Sequence, residues 1–441
     1  MNEKKNLTAK ELIVLGGALF SMHFGASCML YPVTWGKDAG SSVFIVYIAI
    51  VCSALLLPFL AYVALARGEG TFSELTKRII PKFGRFFVCL TGVLLGPLYI
   101  VPRMSAASWD ALAQVFNIQT TSIVPIFLFN LVYYVITYWF IANPGKTMDK
   151  IGKILFPILI VIVVGVIGKG LITPISTDWQ PKSFEEPALV YGFIQGYQTG
   201  DLPAALLFGL VIISGVRNAG IAENRINANL VKLGLVGLGM LAITHLGHMI
   251  IGASTAGTID LSLSKLYAEV VLQLWGMVGA IVFNIALMFA ALTTAVGCCG
   301  AFCELVNSEF PSFSYKKAAI ISCGVSTVIA TIGLDNVVAF FGPLLNACYP
   351  AAIVLVLYYC IAPKAGGKWI SACRWATIGA FICGCIDVLS SYDSLFGINS
   401  AAFAKFYSML PLSNYMLTWI IVAVVCFVIG ALVYKEPKES T

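Results

Sequence analysis

Charged residues are scarce in this chain of 441 residues. They account for 11% of the sequence, whereas hydrophobic residues account for 59%. A soluble globular domain carries roughly 25% charged residues, so this chain lacks the polar surface that a soluble fold needs. Apolar runs of about 20 residues, the length that crosses a hydrocarbon core, recur along the sequence. They lack the alternation of a membrane β-barrel, and we therefore predict an all-α integral membrane protein.

Catalytic and metal-binding motifs are also missing. The chain has three histidines, with no H-E-x-x-H motif and no paired nucleophile and base. His245 and His248 have the spacing of neighbours on one helix face, but no acidic or cysteine partner lies nearby, so we interpret them as packed, neutral residues. The 13 cysteines lie mostly inside apolar runs and indicate no disulfide framework. The sequence thus argues against an enzyme, a resident cofactor, a nucleic-acid partner and an obligate protein partner.

About twelve spanning helices are predicted from the apolar runs. The eighth is too long for one straight crossing, and Thr8 with Glu11 is expected to form a capping box at the start of the first. The approximate spans are 10–32, 42–66, 84–108, 121–142, 151–169, 188–216, 230–252, 267–303, 317–333, 336–361, 371–390 and 412–434.

The 27 lysines and arginines are distributed unevenly between the loops. With the N-terminus inside, 21 of them fall in inside segments and five in outside segments, while Arg103 lies within the third span. Positively charged loops stay in the cytoplasm. Both termini are therefore predicted to be cytoplasmic, in a multi-pass protein of the bacterial plasma (inner) membrane.

Two of the predicted helices are interrupted by glycine-rich sequence. Residues 23–28, HFGASC, interrupt the first span, and residues 196–201, GYQTGD, interrupt the sixth. Glycine costs roughly 1 kcal/mol inside a helix. The two segments are five spans apart, so a second five-helix unit would be inverted relative to the first, and paired interruptions of this kind point to the binding site of a transporter. The structural alternative is that glycine and proline are common in spanning helices.

With these residues in view, the chain resembles the branched-chain amino acid:cation symporters, a bacterial family that carries leucine, isoleucine and valine. Its segment 24–32, FGASCMLYP, is similar to the first-helix motif of that family, usually FGAGNLIFP. Four further segments match family motifs in the same order: LGPLYIVPR (95–103), NPGKTMDKIGKILFP (143–157), GYQTGDLPAALLFGLVIISGVR (196–217) and ALTTAVG (291–297).

The resemblance implies a LeuT-like fold, which is a five-plus-five inverted repeat with two further helices. The first repeat would cover residues 1–170 and the second residues 171–365. Helices 11 and 12 and a cytoplasmic tail would then occupy residues 366–441.

The resemblance also implies a substrate site. Backbone N–H groups near the first break would face the substrate carboxylate, carbonyls and a hydroxyl at the second break would face its ammonium group, and a tyrosine of the third helix would close the site. These residues are Ala26, Ser27 and Cys28, then Tyr197, Gln198, Thr199 and Asp201, and finally Tyr99.

A sodium site is implied in the same way. Its ligands would be the carbonyls of Ser21, Phe24 and Ala290 and the hydroxyls of Thr293 and Thr294. Hard oxygen ligands suit a small hard cation. The expected function is therefore uptake of branched-chain or other small aliphatic L-amino acids, coupled to sodium.

One departure from the family pattern supports an alternative. Ser27 and Cys28 stand where the family usually has Gly-Asn, and the missing amide oxygen would have lain close to substrate and cation. His23, beside the break, can take a proton in the physiological range. A proton-coupled symporter of the same fold, with a different amino acid or small solute, is therefore the alternative.

Two charged residues lie inside predicted spans. An acid at the bilayer centre costs about 2.5–3.5 kcal/mol, so Asp201 is expected either to cap the half-helix that begins near Leu202 or to bind a cation in a cavity. Arg103 is expected to form an ion pair, with Asp110 as the candidate partner, or to be a gating residue at the outer vestibule.

Overall fold

The computed structural model describes residues 4–434, apart from residues 69, 117, 119–121, 144–145, 198, 262 and 365. Helices dominate this part of the chain. In the N-terminal part they are α1 (Ala9–His23), α2 (Ala26–Ala39), α3 (Val43–Ile50), α4 (Leu56–Arg67), α5 (Phe72–Ile79), α6 (Pro81–Val93), α7 (Ile100–Val115), α8 (Ile123–Ile141), α9 (Thr147–Lys150) and α10 (Phe156–Ile172).

The helices continue in the C-terminal part, where α14 is kinked at Gly276. They are α11 (Ala188–Tyr197), α12 (Asp201–Asn218), α13 (Glu223–Ala253), α14 (Leu263–Glu309), α15 (Tyr315–Ala330), α16 (Leu334–Ile361), α17 (Lys368–Leu395), α18 (Ala401–Ser408) and α19 (Thr418–Leu432). The kink explains the excess length of the predicted eighth span, because only the part after it is a continuous apolar helix.

Three pairs of these helices are joined by a π-helical turn, and the turn between α6 and α7 is kinked at Gly96. The turns are Val51–Leu55 between α3 and α4, Leu94–Leu98 between α6 and α7, and Ile151–Leu155 between α9 and α10. At the start of α1, Thr8 and Glu11 form the predicted capping box. The start of α1 therefore follows a local sequence signal.

Within the described residues, nine helical segments are long and apolar enough to cross a membrane. They are Ala26–Arg67, Pro81–Ala113, Ile123–Ile141, Thr147–Ile172, Asp201–Asn218, Glu223–Ala253, Ile281–Glu309, Leu334–Ile361 and Lys368–Leu395. The apolar helix α19 is shorter. An all-helical architecture with many spans is confirmed, whereas a total of twelve crossings stays a prediction. The division into repeats at residues 170 and 365 also stays a prediction.

The centre of the molecule is formed by α1, α2 and α12 to α14, with α7 packed against α14. The contact between α2 and α13 is a backbone contact. A Cβ atom at Gly36 would collide with the carbonyl oxygen of Met249, and one at Gly252 would collide with that of Val33. Small residues permit such close approach of spanning helices, so the glycines hold these two helices together.

Candidate functional site

The first predicted helix break separates α1 from α2. Phe24 has φ −77° and ψ 73°, and Gly25 has φ −84° and ψ −178°, so both residues leave the helical conformation. A Cβ atom on Gly25 would lie 2.9 Å from the hydroxyl oxygen of Thr294 in α14. Glycine at this position therefore lets α14 approach the break closely.

The second predicted break separates α11 from α12. Gly200 has φ 74°, a left-handed conformation that glycine adopts without strain. The backbone N–H of Thr199 donates to the carbonyl oxygen of Gly196 at 3.3 Å, and its hydroxyl donates to the same oxygen at 2.9 Å. Gly200 holds the N-cap position of α12 and Asp201 is the first residue of this helix, and the capping role of Asp201 stays a prediction.

The two breaks lie side by side. Nδ1 of His23 is 3.7 Å from Oδ1 of Asp201, and Nε2 of His23 is 2.8 Å from the hydroxyl oxygen of Tyr62. Residues of both breaks line one cavity of about 350 Å³, which lies near the lower end of the roughly 300–1,000 Å³ that is typical of small-molecule sites. The prediction that both interrupted helices face a shared cavity is confirmed.

Arg103 brings a positive charge into the wall of this cavity. Its Nη2 donates to Oγ of Ser27 at 2.7 Å, and its Nη1 donates to the hydroxyl oxygen of Tyr99 at 3.2 Å. Among the described residues it forms no ion pair with Asp110, so that predicted pairing is wrong. The cavity thus contains a guanidinium and, through Asp201, a carboxyl group.

His245 and Trp35 also line the cavity, beside Gln195 of α11. The indole N–H of Trp35 donates to Oε1 of Gln195 at 3.1 Å, and the Trp35 and His245 rings lie 6.2 Å apart. His245 is buried as predicted, but its contribution to the cavity was not predicted. No group of three or more metal-ligating side chains occurs in the part of the chain that the structure describes.

His248 shows the packing expected of a structural residue. Its Nδ1 is 2.8 Å from the carbonyl oxygen of Thr244, and its Nε2 is 2.8 Å from the hydroxyl oxygen of Tyr267. Both ring nitrogens therefore have a partner. The interpretation of His248 as a packed residue is confirmed.

The residues expected at the substrate site are only partly brought together. Tyr197 packs with the rings of Tyr349 and Trp419, at centroid distances of 4.7 and 6.5 Å, instead of lining the cavity. Ala26 is buried, and Gln198 lies outside the described residues. The expected residues that do line the cavity are Ser27, Cys28, Tyr99, Thr199 and Asp201. Their roles toward a substrate stay predictions.

The residues of the expected sodium site lie where α14 meets the first break, and Thr294 among them also lines the cavity. The Thr294 hydroxyl donates to the carbonyl oxygen of Met22 at 2.9 Å, and the Thr293 hydroxyl donates to that of Ala290 at 2.8 Å. Ser21 and Phe24 are fully buried there, and the Ser21 hydroxyl has no hydrogen-bond partner in the structure. These oxygen atoms suit a hard cation, although the coupling role stays a prediction.

Sequence reasoning missed the contribution of α16 to the cavity. Val338, Gly342, Pro343 and Asn346 line one side of it. A Cβ atom on Gly342 would lie 3.2 Å from the Tyr99 hydroxyl oxygen, so Tyr99 rests against this helix. Gly342 and Pro343 within α16 were the available signal, but glycine and proline occur in many spanning helices.

Solved transporters share this arrangement of helices. A nucleobase-cation-symport-1 family transporter, Mhp1, in a closed conformation with bromovinylhydantoin bound, is similar with a TM-score of 0.62 and 14% identity, over 95% of this chain and 91% of that one. MhsT in complex with L-phenylalanine has a TM-score of 0.53 and 16% identity, over 95% and 98%. These similarities confirm the predicted LeuT-like fold.

The chain belongs to the family of branched-chain amino acid transport proteins, whose model matches residues 8–437. It is 28% identical to the branched-chain amino acid permease BraB of Bacillus subtilis, over 97% of this chain and 96% of that protein. It is also 28% identical to the branched-chain amino acid transport system 2 carrier protein of Pseudomonas aeruginosa, over 99% of both chains. The protein is therefore a multi-pass membrane transporter and not an enzyme.

Proposed function

We propose that the protein is a cation-coupled symporter that carries leucine, isoleucine, valine or another small aliphatic L-amino acid into the cell. The observation that carries this proposal is the cavity at two adjacent helix breaks, with Arg103 and Asp201 in its wall. A free amino acid has one charge of each sign, and such a cavity offers a partner to both. The names of the permease and carrier relatives support a branched aliphatic side chain.

The apolar part of the cavity wall is compatible with such a side chain. Met104, Phe208 and Val338 contribute to it, together with Ile100 and Pro343. Contact with these residues removes apolar substrate surface from water, which is favourable by roughly 25 cal/mol per Å². The wall therefore supports an aliphatic substrate.

The proposed orientation of the protein in the membrane follows from the charge distribution of the loops. Most lysines and arginines fall on the side that also holds the N-terminus, and this side is cytoplasmic by the positive-inside rule. The protein would lie in the bacterial plasma membrane with both termini in the cytoplasm. Because a cation releases free energy when it moves toward the negative interior of the cell, the proposed direction of coupled transport is inward.

Sodium is the proposed coupling ion because buried oxygen atoms meet where α14 contacts the first break. The hydroxyl of Ser21 is fully buried without a partner, and Thr294 bridges the two elements. One sodium ion that crosses 100 mV releases about 2.3 kcal/mol. This free energy supports roughly fifty-fold accumulation of the amino acid, at about 1.4 kcal/mol per decade.

Uptake by proteoliposomes tests this function. We expect leucine, isoleucine and valine to accumulate when sodium is present outside and the interior is negative. Thr293→Ala should remove most sodium-dependent accumulation, because it deletes a proposed ligand oxygen. Thr293→Ser keeps the hydroxyl and is the matched control, which should retain it.

Two results would contradict the proposal in different ways. Failure of all three amino acids to accumulate would overturn the substrate assignment. Equal accumulation with sodium and with choline, driven by a pH gradient alone, would overturn sodium as the coupling ion.

A proton is the second candidate for the coupling ion, and the position of His23 favours it. This side chain is fully buried, its Nδ1 has no hydrogen-bond partner and it faces Asp201 at 3.7 Å. The Tyr62 hydroxyl contacts its other nitrogen, and the Cys28 thiol donates to its carbonyl oxygen at 3.2 Å. A proton that binds between His23 and Asp201 would link both breaks.

The variant His23→Gln separates the two ions. It keeps polar groups at the same site but does not bind a proton near neutral pH. If a proton is coupled, we expect His23→Gln to abolish uptake that is driven by a pH gradient. If sodium is coupled, sodium-driven uptake should persist in this variant at a reduced rate.

A further inference from the structure

Arg103 is a charged residue of a spanning helix whose hydrogen bonds in the structure go to neutral oxygens. Its partners are Ser27 and Tyr99, and among the described residues no carboxylate lies within ion-pair distance of it. Two other arginines do have such a partner, since Arg85 pairs with Glu309 and Arg217 pairs with Glu223. A charge inside a membrane is expensive and is kept for a function.

The position of this guanidinium favours an anion. Ser27 is the second residue of α2, so Arg103 lies at the N-terminus of this helix, where backbone N–H groups and the helix dipole favour negative charge. A guanidinium has five N–H donors, and its planar fork matches the two oxygens of a carboxylate. The two bonds to Ser27 and Tyr99 leave donors for a ligand in the cavity that Arg103 lines.

The opposite charge lies at the other break. Asp201 begins α12, lines the same cavity and has a side chain that is 14% exposed. It forms no ion pair with Arg103 among the described residues. The wall thus presents two separate charges of opposite sign, each next to a helix break.

We infer that Arg103 binds the α-carboxylate of the substrate, together with the N-terminus of α2, while Asp201 faces its ammonium group. This inference rests on the proposed function and adds a residue that selects for a free carboxylate. It also specifies the ligand class. The site accepts zwitterionic amino acids and rejects their amides and esters, which would leave the Arg103 charge without a partner.

Competition binding to the purified full-length protein in lipid nanodiscs tests the inference. The probes are radiolabelled L-leucine, unlabelled L-leucine and L-leucinamide, which keeps the side chain and ammonium group but lacks the carboxylate. Wild-type protein should bind leucine at least roughly 30-fold more tightly than leucinamide, because removing one partner of a buried charge pair is costly. In Arg103→Gln the affinity for leucine should fall while the affinity for leucinamide should not change. The ratio of the two affinities should therefore approach one.

Two variants control this measurement. Arg103→Lys keeps the charge without the planar fork and should give an intermediate ratio, so the inference stays testable if Arg103→Gln does not fold. Arg217→Gln removes an arginine that is paired with Glu223 outside the cavity, and it should leave the wild-type ratio unchanged.

The possible failures are distinguishable. If Arg103 has only a structural role, its substitution should weaken the binding of leucine and of leucinamide by the same factor. An unchanged ratio of the two affinities in Arg103→Gln and Arg103→Lys would therefore overturn this inference but not the proposed function. If wild-type protein binds none of leucine, isoleucine and valine, the proposed function itself fails.

Discussion

The two helix breaks differ in backbone conformation and in charge. At the first break Gly25 has a negative φ, Thr294 of α14 lies against it, and the guanidinium of Arg103 is bonded to the following helix. At the second break Gly200 has φ 74° and a carboxyl residue, Asp201, comes next. The first break therefore lies beside a positively charged side chain and the second beside a negatively charged one. Both breaks line the cavity. We propose that the difference between them sets the orientation in which a zwitterionic substrate binds.

The largest expected effect comes from removing the negative charge of the second break. Asp201→Asn would leave the substrate ammonium group without a charged partner, and leucine uptake at low concentration should fall on the order of 100-fold. Asp201→Glu keeps the charge and should retain more uptake. The measurement is the initial rate of uptake by proteoliposomes at equal protein density.

An Asp201→Asn variant with nearly normal uptake would contradict the assignment of opposite charges to the two breaks. In that case the carbonyl groups of the second break, such as that of Gly196, would be sufficient for the ammonium group. Arg103 would then be the only charged side chain of the two breaks with a proposed role in substrate binding.

A smaller effect should follow from a change of the second-break backbone. Gly200→Ala places a Cβ atom in a left-handed conformation, which costs roughly 1–2 kcal/mol. Leu345 is the nearest side chain at 3.4 Å, so steric crowding adds little. We expect a lower thermal unfolding temperature for Gly200→Ala, and a smaller decrease for Gly200→Asn because asparagine tolerates this conformation.

Equal unfolding temperatures for the alanine variant and the wild-type protein would show that the second break does not need a left-handed residue. The unfolding temperatures of the two Gly200 variants can be compared with that of Gly25→Ala. There the backbone conformation is ordinary, and the cost should come from the contact of the new methyl group with Thr294.

The smallest expected effect concerns the neutral side chain of the first break. Cys28→Asn introduces the residue that the family usually has, and its amide oxygen is a better cation ligand than a thiol. We expect the sodium concentration for half-maximal leucine uptake to fall by about three-fold to ten-fold, which corresponds to roughly the 0.5–1.5 kcal/mol of one net hydrogen bond. Cys28→Ala adds no oxygen and is the matched control.

An equal shift in Cys28→Asn and Cys28→Ala would mean that loss of the thiol causes the change. The Cys28 thiol donates to the His23 carbonyl oxygen at 3.2 Å, so its removal could act through that residue. If the sodium concentration for half-maximal uptake changes in neither variant, the coupling ion does not bind next to Cys28.

The sequence allowed prediction of features that depend on local backbone preference. Glycine-rich sequence marked both breaks, and the Thr8–Glu11 spacing marked the start of α1. The membrane-spanning character also followed directly from the length of the apolar runs. These signals depend on residues close together in the chain, and they need no knowledge of the packing.

Features that depend on side-chain direction could not be predicted. Lipid and protein interior are both apolar, so the sequence of a spanning helix does not distinguish the face that lines a cavity. For this reason Tyr197 was expected at the site although it packs against Trp419, and the contribution of His245 to the cavity was missed. The expected partner of Arg103 was wrong for the same reason, because its bonds cross to α2.

The direct contact of α2 with α13 at Gly36 and Gly252 has a consequence for the transport cycle. With no side chain between the two backbones, neither helix can slide along the other without driving a larger residue into a carbonyl group. We therefore expect the pair to move as one rigid body. An opening of the cavity that displaces α2 is then expected to displace α13 with it.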